Sequence, residues 1–551
     1  MRTFISATLF LLLISPLFGG EEARPNILFI HMEDMGCQIG AYGDHTAYTP
    51  NLDKLADGGV TFNRANVSAA TCAASRGSLY TGLYPHQNGI MGFVKTHGFH
   101  LREGLHTYVH YLKEAGYYTG ITYKNGLDTN GPTPWDLNGN WRTNFVTPDD
   151  NQNEVKNSID NFRYFMQTRP KDKPFYFQSQ NSNTHTPWAG PKVDKHFSIK
   201  GMPGADAYQP IDPKTVHPLP HFRDGFKMNS AVRKWLGDYY GAIQRVDYFV
   251  GQILSILEES GEADNTIIVF SADHGPSDLT RGKTTPYEFG LQVPFIVNWP
   301  NRGQSGVHSD ALVSFVDIMP TFLELAGIDR PGYLAGHSLL PAITGEKPLG
   351  DRKYLFSAYV AHTTGVYWPT RTINDGRYKL IHNLLGDSKT TPGEYSRNQN
   401  SKHIGTNGYR GPVASAIRQL SKGTPARIAL DRGYQPPAFE LYDLEEDPGE
   451  FNNLMGNPDY REVGRALLEQ LLIWREDGVC DPFLDKNYLQ AFSEDYAKKV
   501  AFYYENVKSK AVVEGYSKLN KWGSWKLEFD KWIPAWDPDG YRQDPKLQAV
   551  D

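Results

Sequence analysis

The sequence predicts an α/β fold: a large, mostly parallel sheet flanked by helices, followed by a smaller α+β region. Three observations predict it. Over about the first 355 residues, short apolar runs of strand length alternate with amphipathic stretches, the pattern of strands joined by crossover helices. Runs such as Ile27–His31 (ILFIH) and Thr266–Ser271 (TIIVFS) are almost wholly apolar, as strands buried on both faces must be. Beyond about Leu355 the texture changes to segments that read as antiparallel strands.

The elements follow in order. Met1-Arg2, an apolar run from Phe4 to Phe18 and then Gly19-Gly20-Glu21-Glu22 describe a secretory signal peptide over residues 1–22. The run is short for a membrane span, and no cysteine follows closely enough for a lipid anchor. Export to a periplasm or the medium, with no stable membrane anchor, is the expectation. Thr49-Pro50 opens a helix through Leu55, with Thr49 as cap. Tyr117–Tyr123, Phe175–Gln178 and Val293–Val297 read as further strands. Between Ala231 and Glu259, Trp235, Tyr239, Ile243, Val246, Val250, Ile253 and Leu257 step by threes and fours, so one helix face is buried. Leu312–Ala326 reads as a helix ending at Gly327. Thr370–Leu380 and Phe439–Tyr442 read as antiparallel strands, and Glu462–Trp474 as a final amphipathic helix. The Gly/Ser/Asn-rich Leu385–Gly411 reads as a functional lid or a partly disordered loop. The expected division is a catalytic domain over residues 23–355, a C-terminal subdomain over 356–490 and a tail over 491–551.

Composition narrows the function. The hydrophobic set is 40% and charged residues 21% of 551 residues, which excludes a wholly disordered chain. A net charge of −6 gives no sign of a nucleic-acid binder. Three cysteines, Cys37, Cys72 and Cys480, exclude a disulfide scaffold.

Ligands of an open parallel sheet bind beyond the carboxyl ends of its strands. Glu33 and Asp34 follow the first strand, Lys124 follows Tyr117–Tyr123, His185 comes soon after Phe175–Gln178, and Asp273 and His274 follow Thr266–Ser271. One Asp after a strand is commonly a cap or turn residue. Four such ends carrying ionisable groups point to one site. Its oxygen-rich donors favour a hard divalent cation, Ca²⁺ or Mg²⁺, and no Cys pair has the spacing of a zinc site. Cys72-Ala73-Ala74-Ser75-Arg76 begins a helix, whose N-terminus is expected to depress the Cys72 pKa, with Arg76 one turn on facing the same side. The alternative is a buried structural cysteine.

Those five residues resemble the sulfatase signature, Cys-x-Pro/Ala-x-Arg. Asn26–Gly36 (NILFIHMEDMG), Thr49–Gly58 (TPNLDKLADG), Thr81–Gly89 (TGLYPHQNG), Asp273-His274-Gly275 and Gly282–Gly290 (GKTTPYEFG) resemble that family too, over about residues 24 to 485. His86–Gly89, Tyr367–Leu384, Glu440–Asn453, Trp474 and Cys480 resemble the N-sulfoglucosamine sulfohydrolase branch, whose bacterial relatives include polysaccharide sulfatases.

The resemblance implies an alkaline-phosphatase-like fold and a sulfatase acting on a sulfated glycan, at an ester or an N-sulfamate. It implies that Cys72 is oxidised to formylglycine by a formylglycine-generating enzyme or an anaerobic maturase. It assigns Glu33, Asp34, Cys72, Asp273 and His274 to one Ca²⁺, with Mg²⁺ the second choice. Arg76, Lys124, His185 and Lys283 become catalytic groups, His185 as proton donor to the leaving group. His97, His100, His362 and Arg371 are candidate substrate contacts, Arg371 gripping a uronate carboxylate or else pairing with a local acid such as Asp375. Two features depart from the family. Glu33 stands where Asp is usual, and Lys124-Asn125-Gly126 lacks the histidine of the family's Lys-x-His. The rival readings are a phosphatase or phosphonate hydrolase of the same superfamily and a catalytically dead glycan-binding protein.

Overall fold

A computed structural model describes residues 24–537, apart from 95–97, 125–126, 128–133, 141–152, 220–227, 278, 349–351, 363–365, 387–410, 434–435 and 504–528. The expected signal peptide and the candidate His97 lie outside the described residues, as does most of Leu385–Gly411. Among the described residues no helix is long and apolar enough to cross a membrane.

Eight strands form the large sheet: β1 (Asn26–Met32), β2 (Val60–Asn66), β3 (Tyr118–Tyr123), β4 (Leu137–Asn140), β5 (Phe175–Ser179), β6 (Thr266–Ala272), β7 (Phe295–Asn298) and β8 (Val307–Ser314). Their order is β4-β3-β5-β1-β6-β7-β2-β8. The central strands β1 and β6 are buried at every position and run parallel, with Asn26–Met32 opposite Thr266–Ala272. Because β3, β5, β1 and β6 all run the same way, their carboxyl ends meet on one edge.

The strand expected at Val293–Val297 is β7, and it runs antiparallel to both β6 and β2. The chain leaves β6 at the ligand-binding edge and stays there through residues 273–294 before turning back. It therefore enters β7 from that same edge, and the short antiparallel return needs no crossover helix. The helix expected from Leu312 begins later. Leu312–Ser314 is drawn into β8 against β2, and the helix proper spans Ile318–Leu325.

Helix α1 (Pro50–Asp57) forms where expected, but Thr49 does not cap it. The Thr49 hydroxyl bonds to Asp53 (3.2 Å) and receives the Gly40 N–H (3.0 Å). The cap comes from the long helix Ser230–Glu259: Asp247 Oδ1 accepts the Leu52 N–H at 2.8 Å. A carboxylate from a packed helix satisfies the orphan donors as well as a local side chain would.

A second, antiparallel sheet has the order β12-β11-β10-β9, from β9 (Leu355–Ala361), β10 (Tyr367–Asn374), β11 (Tyr378–Asn383) and β12 (Phe439–Asp443). The strand expected over Thr370–Leu380 is in fact two, broken where Asp375-Gly376 turns the hairpin with Gly376 at φ 100°. Only glycine takes that backbone angle without strain. Helix Arg461–Ile473 covers the sheet through Leu467 and Leu471, which, with Trp474 just past its end, cluster with Ala358, Ile373 and Leu441. A third cluster joins helix Lys486–Tyr503 and residues 529–537 to the segment after the signature: Phe492, Tyr496, Phe529 and Ile533 pack with Met91 and Phe99. Cys37, Cys72 and Cys480 are all free thiols.

Candidate active site

The four strand ends converge. Lys124 leaves β3, His185 follows β5, Glu33 and Asp34 follow β1, and Asp273 and His274 follow β6. Asp34 has φ 57°, a left-handed turn that swings its carboxylate inward while its N–H donates to Asp273 Oδ1 at 2.9 Å. The Cys72 helix (Cys72–Thr81) is buried at every position and starts against this edge. Cys72 Sγ lies 3.4 Å from Glu33 Oε1, 3.3 Å from His274 Nε2, 3.2 Å from Lys283 Nζ and 3.9 Å from Asp34 Oδ1.

Cations interleave the carboxylates. Lys283 Nζ reaches both Asp34 oxygens at 2.8 and 3.0 Å, and Lys124 pairs with Glu33. Arg76 lies 3.2 Å from Asp273 through Nε. Burial alone raises a carboxyl pKa, yet the cations outweigh it here. Asp34 is lowered to about 2, Glu33 lies well below the usual range and Asp273 is lowered as well. The Cys72 thiol goes the other way: burial pushes it up, against the pull of Lys124 and Lys283. This corrects the expectation that the helix N-terminus depresses it, because desolvation of a thiolate outweighs a helix dipole. A resting thiolate nucleophile is thereby disfavoured.

Asp34, Cys72, Asp273 and His274 each offer a ligand atom within 4.8 Å of one another, and so do Glu33, Asp34 and His185. Three buried carboxylates and one imidazole suit a hard divalent cation. The Glu33 side chain reaches the cluster despite its extra methylene, since its Oε1 lies beside Cys72. His185 stands at the open side, 38% exposed, with Nε2 3.9 Å from Asp34. The buried groups thus form the floor and His185 part of the rim.

The candidate substrate residues separate. Arg371 is fully buried, and its guanidinium grips Asp481 through Nε (2.8 Å) and a second nitrogen (2.7 Å). It cannot hold a carboxylate of a substrate, and its acid is Asp481 rather than Asp375. Arg475 binds the same Asp481 at 2.7 Å. His362 is buried, with Nδ1 on the Thr71 hydroxyl next to Cys72. His100 binds Asp530 at 3.0 Å and the Leu101 carbonyl at 2.9 Å.

Sequence reading missed the supports behind these groups. Lys379, fully buried on β11, reaches Glu288 at 2.9 Å and Glu450 at 3.0 Å. The Arg281 guanidinium lies 3.7 Å from the Tyr287 ring. Arg281 and Thr284, at φ 67° and 68°, bracket Lys283 in a strained turn. Arg281 and Glu288 lie close to Lys283 in sequence, so that proximity was a usable signal. Lys379 and Glu450 lie in segments that resemble the family, but nothing in the sequence announces that both meet at Glu288.

A phosphonate monoester hydrolase of Agrobacterium radiobacter has a similar fold, with TM-score 0.58 and 19% identity over 82% of this chain and 96% of that one. So does a protein solved with its substrate D-glucosamine-2-N,6-O-disulfate, with TM-score 0.57 and 20% identity over 82% and 98%. By sequence the chain is 28% identical to an ulvan-active sulfatase of Formosa agariphila over 82% of this chain and 80% of that one. It is 29% identical to the N-sulphoglucosamine sulphohydrolase of Homo sapiens over 84% and 93%. The profile of the N-sulphoglucosamine sulphohydrolase C-terminal region matches residues 281–397. The sulfatase profile matches residues 25–328, more than half of the chain and every strand end that builds the site, so the chain belongs to the sulfatase family.

Proposed function

We propose that this protein removes sulfate from a sulfated polysaccharide or oligosaccharide, at an ester or an N-sulfamate, with a nucleophile made from Cys72. One observation carries the proposal: Cys72 Sγ sits within 3.9 Å of Glu33, Asp34, His274 and Lys283 at the start of a buried helix. A buried thiol with a raised pKa is a poor nucleophile as it stands. Oxidised to formylglycine by a dedicated maturation enzyme and hydrated, it supplies two hydroxyls on one carbon. One attacks sulfur, and deprotonation of the other expels sulfate without water attacking sulfur.

Glu33, Asp34, Asp273 and His274 would hold one calcium ion. Bound there, it would draw charge from the sulfate oxygens and from the attacking hydroxyl. Lys124 and Lys283 add positive charge where the sulfate oxygens would lie, and being fixed in place they need no reorganisation. Arg76 stays charged between Asp273 and the helix and steadies the hydrated side chain. His185, partly exposed at the rim, would protonate the departing oxygen or nitrogen. The intact set of Cys72, Arg76 and Lys283 disfavours a dead binding protein. The glycan assignment draws on the named substrates of the two relatives.

The test is a sulfate-release panel. Matured enzyme is offered heparan, ulvan, carrageenan, fucoidan and chondroitin fragments, with an aryl phosphonate ester alongside. Sulfate from at least one glycan, none from Cys72→Ala, is the expected result. Turnover of the phosphonate with no sulfate released from any glycan would overturn the reading in favour of a phosphonate hydrolase.

A further inference from the structure

Behind Arg76 lies a buried polar chain that the sequence hides inside an apolar strand. His31, on β1, is fully buried and stacks on Phe29 with ring centres 4.9 Å apart. Its Nδ1 faces two nitrogens, Arg76 Nη1 at 3.2 Å and Gln178 Nε2 at 3.2 Å. Gln178 Oε1 in turn meets the Tyr80 hydroxyl at 2.6 Å and the Tyr176 hydroxyl at 3.0 Å, and Tyr176 meets Tyr108 at 2.6 Å.

The direction of every bond in this chain is set by Arg76. A guanidinium only donates, so His31 Nδ1 must accept and carries no proton. Gln178 must then present its NH₂ to the ring, which leaves its oxygen to receive both phenols. Tyr176 donates to that oxygen and so accepts from Tyr108. The ring is a neutral imidazole with its proton on Nε2. The opposite orientation of the amide would set its oxygen against the Nδ1 lone pair, acceptor against acceptor.

We propose that His31 is a positioning residue for Arg76: its Nδ1 lone pair, held by Gln178 and the tyrosines, sets the guanidinium plane against Asp273. Nη1 also lies against the Gln180 side-chain oxygen and, at 3.3 Å, the Lys124 carbonyl. His31 supplies the bond from within the sheet. This rests on the sulfatase reading of Arg76.

The test compares His31→Leu, which removes the acceptor, with His31→Asn, which keeps an acceptor oxygen where Nδ1 was. Both are assayed as matured enzyme on 4-methylumbelliferyl sulfate and crystallised. His31→Leu should lower kcat by about tenfold or more, the cost of a lost bond to a charged group. KM should move by less than about twofold, since a misaimed Arg76 acts on the reacting carbon rather than on sulfate binding. His31→Asn should recover most of the loss. In the His31→Leu crystal the Arg76 guanidinium should rotate away from Asp273. An unmoved Arg76, or equal rates for both variants, would overturn the proposal. Should His31→Leu fail to fold, Gln178→Met, which frees the ring to turn, must show the same kcat loss. Cys72→Ala is the control: activity surviving it would refute the sulfatase reading itself, whereas a dead Cys72→Ala beside an unaffected His31→Leu refutes only the inference.

Discussion

Arg371 shows how a single residue changes meaning once its partner is known. On β10 it forms a bidentate pair with Asp481, and both side chains are fully buried. Burial pushes the Asp481 carboxyl up, but Arg371 and Arg475 outweigh it and hold it well below the usual carboxylate range. Removing one partner of a buried pair costs about 3–5 kcal/mol. Arg371→Ala should therefore lower stability by that order in a denaturant titration. Per folded molecule, kcat/KM on a uronate-containing oligosaccharide should stay within about twofold of the parent. A selective loss on the uronate substrate at unchanged stability would return Arg371 to the substrate. Its sequence neighbourhood could not reveal this, because Asp481 lies 110 positions away. His31 was equally illegible, a polar residue inside an apolar strand. Glu33, Asp34, Lys124, His185, Asp273 and His274 were legible, because the rule about strand ends needs only strand positions and direction.

At the scale of elements, strands on the carboxyl edge were readable and the return strand was not. A short apolar run carries no sign of its direction, so β7 became antiparallel only once the site loop was seen to keep the chain at one edge. Helix α1 likewise takes its cap from Asp247, on a helix far away in sequence. Glu154, which opens helix Glu154–Thr168, ties that helix to the His185 loop: it accepts the Ser182 N–H at 2.5 Å and the Ser182 hydroxyl at 3.1 Å. Burial raises its pKa from 4.5 to about 7 despite those bonds. Between these values the folded state binds more protons than the unfolded chain. Stability contributed by that proton is full below about pH 4.5 and is lost as pH rises through about 7. Glu154→Gln keeps the acceptor without the ionisation. Its Tm should fall less than the parent's between those two pH values. Parallel Tm curves would show that Glu154 does not titrate in this range.

Across the whole molecule, the ends of the large sheet supply the carboxylates, and Lys379 of the smaller sheet reaches Glu288, five residues beyond Lys283, and Glu450. The tail closes over the segment after the signature: the Trp536 N–H donates to the Glu103 carbonyl at 2.7 Å, and Arg102 donates to the Pro534 carbonyl at 3.0 Å. The tail's role had no motif to announce it, whereas the class of the large sheet was plain from alternation alone. A cation held as proposed, by Glu33, Asp34, Asp273 and His274, would be removable. Exhaustive chelation should cut kcat by at least about a hundredfold, with calcium restoring it and zinc not. Full activity after chelation would remove the cation from the account.

We infer that a modified Cys72 is the nucleophile. Mass spectrometry of the peptide containing Cys72, from enzyme co-expressed with a formylglycine-generating enzyme, tests it most directly. Preparations that span a range of maturation should show the aldehyde in place of the thiol, with sulfate release rising in proportion to the aldehyde fraction. A fully active preparation in which Cys72 remains an unmodified thiol would contradict it.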